Sequence, residues 1–244
     1  MMNAWSLGGK RPFIIGHRGA SADAPENTLA AFALAQEQGV DGIEFDVQLS
    51  ADGYPVIIHD SKLERTTNGR GRVQNFTLEE LKRVDAGQGQ QIPTLDEVFG
   101  TGGPHFLYNV ELKTAALRDN GLAAVVAARI IAHGLDRQVV VSSFNPLAVR
   151  HARRHLTNAT WVAHLSFKSG FSFKHSFIPV QAVHPRFKMV DTTYMDWAGK
   201  SGWRVNVWTV DEPNEANRLA ELGVHGIITN KPALIKKAIE SHEH

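Results

Sequence analysis

The chain has no cysteine among its 244 residues. Disulfides, thiolate zinc and a cysteine nucleophile are therefore excluded, and the composition fits a reducing cytosol. A charge excess is also missing: 26 basic residues nearly cancel 25 acidic ones, for a formal net charge of +1. No global field draws in nucleic acid or an anionic membrane, so a preference for charged ligands must come from a local site. No window approaches the roughly 18 apolar residues of a membrane span. The N-terminal apolar stretches are short and broken by Lys10-Arg11-Pro12, unlike a secretory leader. The expectation is a soluble, unexported, cytoplasmic protein with no stable membrane insertion and no nucleic-acid partner. Internal repeats and low-complexity tracts are absent, and nothing in the sequence sets the oligomeric state.

What is present suits one sizeable domain over residues 1–244, since 43% of the chain is hydrophobic and single α/β barrels run to about 250 residues. Short β-rich runs alternate with helical patterns, which predicts βα units around a parallel sheet. The runs are Phe13–His17, Gly42–Leu49, Phe106–Leu112, Val139–Ser143, Thr160–His164, Gln181–His184, Arg204–Thr209 and Gly226–Thr229. Eight strands predict an α/β fold of the (β/α)8 (TIM) barrel kind. Helical spacing appears at Leu29, Phe32, Ala33 and Gln36, and again at Leu122, Val125, Val126 and Ile130. Asp211-Glu212-Pro213 opens a late helix and Gly223 closes it. After the second strand the connection is too long for a simple crossover, so residues from about 60 to 105 are read as a small insertion within the barrel. It contains a capped short helix at Thr77-Leu78-Glu79-Glu80-Leu81. The stretch Ser166–Phe177 mixes aromatic residues with Lys168, Lys174 and His175; it reads as a cover for a site or, preferably, as a partly packed surface loop.

Barrels carry function at the C-terminal ends of their strands, and titratable residues stand there. The first strand ends in His17-Arg18-Gly19: a proton-transfer group, a planar fork suited to phosphate oxygens, and a glycine that lets backbone approach a ligand. A core histidine and a surface ion-pair arginine would leave the same trace. In the second strand, alternation puts Glu44, Asp46 and Gln48 on one face and Ile43, Phe45 and Val47 on the other. The apolar face suits the helix layer, so two carboxylates point at the barrel axis, where a metal or a cationic side chain must compensate them. The third strand repeats the device with Asn109, Glu111 and Lys113. Convergence of Glu44, Asp46 and Glu111 without any cysteine favours a hard cation, Mg²⁺ or Ca²⁺, over zinc. Lys113 either meets a phosphate oxygen or balances the carboxylates. Pro55-Val56-Ile57-Ile58-His59-Asp60 brings a second histidine to the end of an apolar run. Two histidines, a carboxylate-bound cation and an arginine make a kit for cleaving phosphodiesters: one ring takes a proton, the other gives one, and cation and arginine stabilise the transition state.

Several spaced motifs then resemble one family. HRGASADAPENTLAAF (His17–Phe32), EFDVQLSADGYPVIIHD (Glu44–Asp60), LERTTNGRG (Leu63–Gly71), NVELK (Asn109–Lys113), IPTLDEVF (Ile92–Phe99), SSFNP (Ser142–Pro146), VNVWTVD (Val205–Asp211) and GIITNKP (Gly226–Pro232) resemble the glycerophosphodiester phosphodiesterase family over nearly the whole chain. The resemblance implies a barrel with a small insertion, catalysis by His17 and His59, metal ligation by Glu44, Asp46 and Glu111, and Arg18 and Lys113 near the phosphate. It implies that Trp208 lines the pocket, where plain barrel packing is the alternative. Glu26 is equally explained by helix capping with Asp23. His184, before Pro185, is a candidate substrate contact and as readily a core histidine. The chain departs from the family at Asn230, where an aspartate is common. Asparagine still suits the cap of the following helix, and no core catalytic position is altered.

The implied reaction is metal-dependent hydrolysis of glycerophosphodiesters, as small-molecule substrates, to glycerol 3-phosphate and an alcohol. A lysophospholipase D of the same superfamily would use the same histidines and metal, with an apolar groove built from Phe167, Phe171, Phe173 and Phe177. A non-catalytic phosphodiester-binding barrel would be expected to lack one of these groups, and none is missing. Sugar-processing chemistry has no need of the histidine–arginine pair.

Overall fold

The computed structural model describes residues 3–6, 9, 11–103, 105–114, 120–166 and 179–242. Strands and helices alternate along them: β1 (Phe13–His17), α1 (Leu29–Glu37), β2 (Gly42–Leu49), β3 (Pro55–Ile57), α2 (Leu78–Lys82), α3 (Leu95–Phe99), β4 (Leu107–Leu112), α4 (Leu122–Ala132), β5 (Val139–Ser143), α5 (Pro146–His155), β6 (Trp161–Ser166), β7 (Ala182–Pro185), α6 (Thr192–Lys200), β8 (Arg204–Val207), α7 (Pro213–Glu221), β9 (Gly226–Thr229) and α8 (Pro232–His242). Strands β1, β2, β4, β5, β6, β7, β8 and β9 pair in parallel in that order, and β9 pairs back onto β1 to close the barrel. These are the eight expected strands, with ends displaced by a residue or two.

The expected apolar run at Pro55 turns out to be a ninth strand. β2 keeps step with β4 only as far as Val47 opposite Leu112. Its projecting end then pairs antiparallel with β3, Val47 facing Ile57 and Leu49 facing Pro55. The turn between them is held by Ser50, whose Oγ accepts from Tyr54 N at 2.9 Å and donates to Asp52 at 2.6 Å. This hairpin returns the chain to the top of the barrel directly before His59. The rest of the long connection holds α2 and α3, each started by a capping box, Thr77 with Glu80 and Thr94 with Glu97. The capped short helix at Thr77 is thus present. Helix α1 corrects the reading of Glu26 as a capping residue. Its N-cap is Thr28, which accepts from Ala31 N, while Asp23 bonds Gln38 and Glu26 is bound by arginines.

The alternation of the strands sorts side chains into two cores. Ile43, Phe45 and Val47 of β2 and Tyr108, Val110 and Leu112 of β4 face outward into the strand–helix core. Inside the barrel Ile15, Leu107, Val140, Ala163, Ala182 and Ile228 form an apolar floor, closed from below by Trp5. Two residues farther along β4, β5 and β7 come Asn109, Ser142 and His184, all buried, joined by Asn206 of β8. Glu44 of β2 stands in register with Asn109, and two residues farther along come Asp46 and Glu111.

No helix among the described residues is long and apolar enough to cross a membrane. Residues 167–178, with Lys168, Lys174, His175 and the four phenylalanines of the expected groove or cover, lie outside the described residues.

Candidate active site

Glu44, Asp46 and Glu111 converge as their alternation requires: one oxygen from each lies within 4.8 Å of the others. Their exposures are 3, 1 and 6%, so each charge must be compensated inside the protein. Asp46 is the best served. Asn27 Nδ2 donates to it at 2.9 Å, Arg18 Nε lies 3.2 Å away and Lys113 Nζ 3.6 Å away. Burial alone would raise its pKa, but Arg18, Lys113 and His59 outweigh that and hold it below the usual range. Glu111 is paired with Lys113 at 2.8 Å, yet burial and the neighbouring Asp46 push it up to about 7. Glu44 is raised well above its ordinary value by burial, Asp46 and Glu111 together. The two cationic side chains, Arg18 and Lys113, pair with Asp46 and Glu111, and leave Glu44 with a backbone N–H of Arg18 at 3.2 Å but no Arg or Lys side-chain partner among the described residues. An all-oxygen donor set with that deficit fits a hard divalent cation.

His17 stands beside this cluster, with Nε2 3.8 Å from Glu44 Oε2. Its other nitrogen, Nδ1, lies 2.7 Å from Asn230 Oδ1. The proton on that bond can be assigned by elimination. Asn230 Nδ2 donates to Asp211 Oδ2 at 2.7 Å, so the amide oxygen must face His17, and it also accepts from Ser21 Oγ at 2.8 Å. Nδ1 therefore carries the hydrogen, and the lone pair is on Nε2. Burial first, and Arg18 second, lower the ring's pKa to about 4. Asn230 was expected to cap the last helix. The structure corrects this: its side chain is spent on His17, Ser21 and Asp211.

His59 is oriented through the same ring nitrogen but by a carboxylate, with Nδ1 2.5 Å from Asp60 Oδ1. The loop beneath it is pinned by Gln48, the third residue of β2's inward face. Its Nε2 lies 2.9, 3.0 and 2.8 Å from the carbonyls of Ile58, His59 and Asp60. Beside His59 opens a cavity of about 280 Å³ lined by Gln48, Ser61, Glu111, Lys113, Phe144 and Asn145 among others.

Arg18 adopts φ +55°, which is uncommon for a residue with a side chain. Arg18 NH1 binds Glu26 at 2.7 Å. Its Nε is buried and close enough to Asp46 for an ion pair, but no acceptor is aligned for a hydrogen bond. Gly19 does approach backbone closely, but the backbone belongs to α1: a Cβ there would sit 2.6 Å from the Ala31 carbonyl. Trp208 donates from Nε1 to the His184 carbonyl at 2.7 Å and packs edge-on against Phe144, ring centroids 5.3 Å apart.

His184 is not brought to this cavity. It is fully buried, with Asn109 Nδ2 3.4 Å from Nδ1 and Asn206 Nδ2 3.0 Å from Nε2, and burial lowers its pKa to about 3. The expected substrate contact gives way to the core role, because the β7 register puts His184 in the polar layer below the strand ends. Asp60, Gln48, Glu26, Arg65 and Asn230 were not foreseen as parts of the site. Only Asp60, next to His59, and Gln48, in step with Glu44 and Asp46, left a local signal.

A closed parallel barrel with buried carboxylates and paired imidazoles at its strand ends is an enzyme architecture. The chain belongs to the Glycerophosphoryl diester phosphodiesterase family, which matches residues 17–234, and is with it a phosphoric diester hydrolase. It is 37% identical to the glycerophosphodiester phosphodiesterase of Caldanaerobacter subterraneus subsp. tengcongensis, over 91% of this chain and 95% of that protein. An Oleispira antarctica phosphodiesterase, solved in complex with the product sn-glycerol-3-phosphate, superposes with TM-score 0.84 at 30% identity, covering 97% of this chain and 99% of that one. A glycerophosphodiester phosphodiesterase from Parabacteroides distasonis gives TM-score 0.83 at 26% identity, covering 97% of this chain and 100% of that one.

Proposed function

We propose that the chain hydrolyses glycerophosphodiesters to glycerol 3-phosphate and an alcohol, with His17 and His59 dividing the proton transfers and Glu44, Asp46 and Glu111 holding Mg²⁺ or Ca²⁺. The observation that carries this reading is the unequal fixing of the two rings. Both are held through Nδ1, which leaves Nε2 as the reactive atom, but the partner is an amide at His17 and a carboxylate at His59. The buried, neutral His17 suits the base. His59 has a carboxylate to compensate a positive ring and suits the acid. The cavity beside His59 suits the departing alcohol.

A cation held by Glu44, Asp46 and Glu111 would supply Lewis-acid stabilisation of the charge that develops on the phosphate. Arg18, with a buried N–H lacking an aligned acceptor, suits a phosphate oxygen, and Lys113, which shares Asp46 with it and lines the cavity, suits another. His17 takes the proton of the substrate's own 2-hydroxyl, already tethered near phosphorus; such intramolecular attack is worth roughly 7–11 kcal/mol when aligned. His59 protonates the leaving oxygen. Water then opens the cyclic phosphate with the histidine roles reversed. No side-chain nucleophile is required.

The test is a panel of glycerophosphodiesters and lysophospholipids, with and without chelator, together with an analogue whose glycerol 2-hydroxyl is replaced by hydrogen. Turnover should require the added cation and fail on the deoxy analogue. Normal turnover of that analogue would leave an activated water as the nucleophile. His17→Ala and His59→Ala should each lower kcat by about 10²–10⁴-fold with little change in Tm, whereas unfolding of either would make that ring structural.

A further inference from the structure

Arg65 lies in the loop after β3 and lines no part of the cavity, yet it holds both halves of the site. Its Nε donates to Asp60 Oδ2 at 2.5 Å, and NH2 reaches Asp60 Oδ1 at 3.3 Å. On its other edge NH1 and NH2 donate to the two oxygens of Glu26, both at 2.8 Å. Asp60 holds Nδ1 of His59, and Glu26 holds NH1 of Arg18. An unbroken chain therefore runs His59–Asp60–Arg65–Glu26–Arg18, and Arg18 ends it as an ion pair to Asp46.

We infer that Arg65 is a positioning residue: its guanidinium sets the acid that orients His59 and the acid that orients Arg18 from one rigid plane. The chemistry needs arginine. Two carboxylates are gripped on two edges at once, which a planar fork of five N–H donors can do and a single ammonium cannot. Without it, Asp60 and Glu26 would be two like charges with no shared cation, free to swing away from the groups they orient. Because the Arg65 side chain is 46% exposed, these ion pairs add little to global stability, and the effect falls on the geometry of the site. The inference rests on His59 being catalytic.

The test uses the full chain loaded with Mg²⁺ and a glycerophosphodiester as substrate. Arg65→Ala should lower kcat about 10–100-fold, the range typical of residues that orient a ligating or reacting group. KM, cation affinity and Tm should stay near the parent values. Arg65→Lys should recover little, whereas guanidinium chloride, but not equimolar ammonium chloride, should restore part of the Arg65→Ala rate. In ¹⁵N-labelled protein, the Nδ1 proton resonance of His59 should broaden or vanish in Arg65→Ala, independently of turnover. A kcat within twofold of the parent, or a full rescue by lysine, would overturn the proposal. His59→Ala separates the two readings: if it also keeps full activity, the catalytic role of His59 fails; if it alone is inactive, only the role of Arg65 fails.

Discussion

Asn230 accepts a hydrogen bond from Nδ1 of His17 at 2.7 Å and donates its own amide N–H to Asp211 at 2.7 Å. The negative charge is thereby kept one residue away from the ring. Asn230→Asp moves a carboxylate into contact and favours the protonated imidazole, raising its pKa from about 4 toward or past the ordinary value near 6.5. A base that charges sooner is lost sooner as pH falls. The acid limb of the kcat–pH profile should therefore move to higher pH, with about a tenfold loss near pH 5.5 and a rate within about threefold of the parent at pH 8. The new carboxylate also faces Asp211, so Tm should drop by a few degrees, about 1 kcal/mol. An unmoved acid limb would mean that this contact does not set the protonation of His17.

Cation binding should release protons. Glu111 is held up to about 7 and Glu44 is raised as well, so below neutrality the free protein carries protons on groups that must ligate as carboxylates. The affinity for Mg²⁺ or Ca²⁺ should then rise with pH through 7. Calorimetric titration in buffers of different ionisation enthalpy should show about one proton or more released per cation at pH 6 and fewer at pH 8.5. A pH-independent affinity without proton release would refute the three-carboxylate site. Glu44→Gln and Asp46→Asn should both weaken binding while the fold persists.

His184 should matter to stability and not to the chemical step. Its folded pKa, about 3, lies below the ordinary histidine value of about 6.5, so the unfolded chain takes up the proton first. The stability this group contributes is present above about pH 6.5 and is lost progressively as the pH falls toward 3. His184→Ala leaves a cavity and removes a partner from two buried amides, which should cost about 2–4 kcal/mol at pH 7.5. Denaturant melts of parent and variant should converge as the pH is lowered to 4.5, with kcat at pH 7.5 within about threefold. A large loss of kcat with unchanged stability would return His184 to the substrate.

How much of this was legible beforehand depends on the range of each signal. The two-residue alternation of β2 and β4 was enough to turn Glu44, Asp46 and Glu111 inward and Phe45 and Val110 outward, because a strand's facing is set by its own neighbours in sequence. The eight strands followed from the same local periodicity, and the histidines from their places at strand ends. Partnerships across the barrel had no such trace. Asn230 meets His17 from 213 residues away because β9 closes onto β1, and Arg65 meets Glu26 across 39 residues because the β2–β3 hairpin folds the following loop back over the strand ends. His184 and His17 both stand at strand ends in the sequence, yet one lies below the site and the other in it. The stagger between tilted strands decides that depth, and stagger is a property of the closed barrel that no single strand encodes.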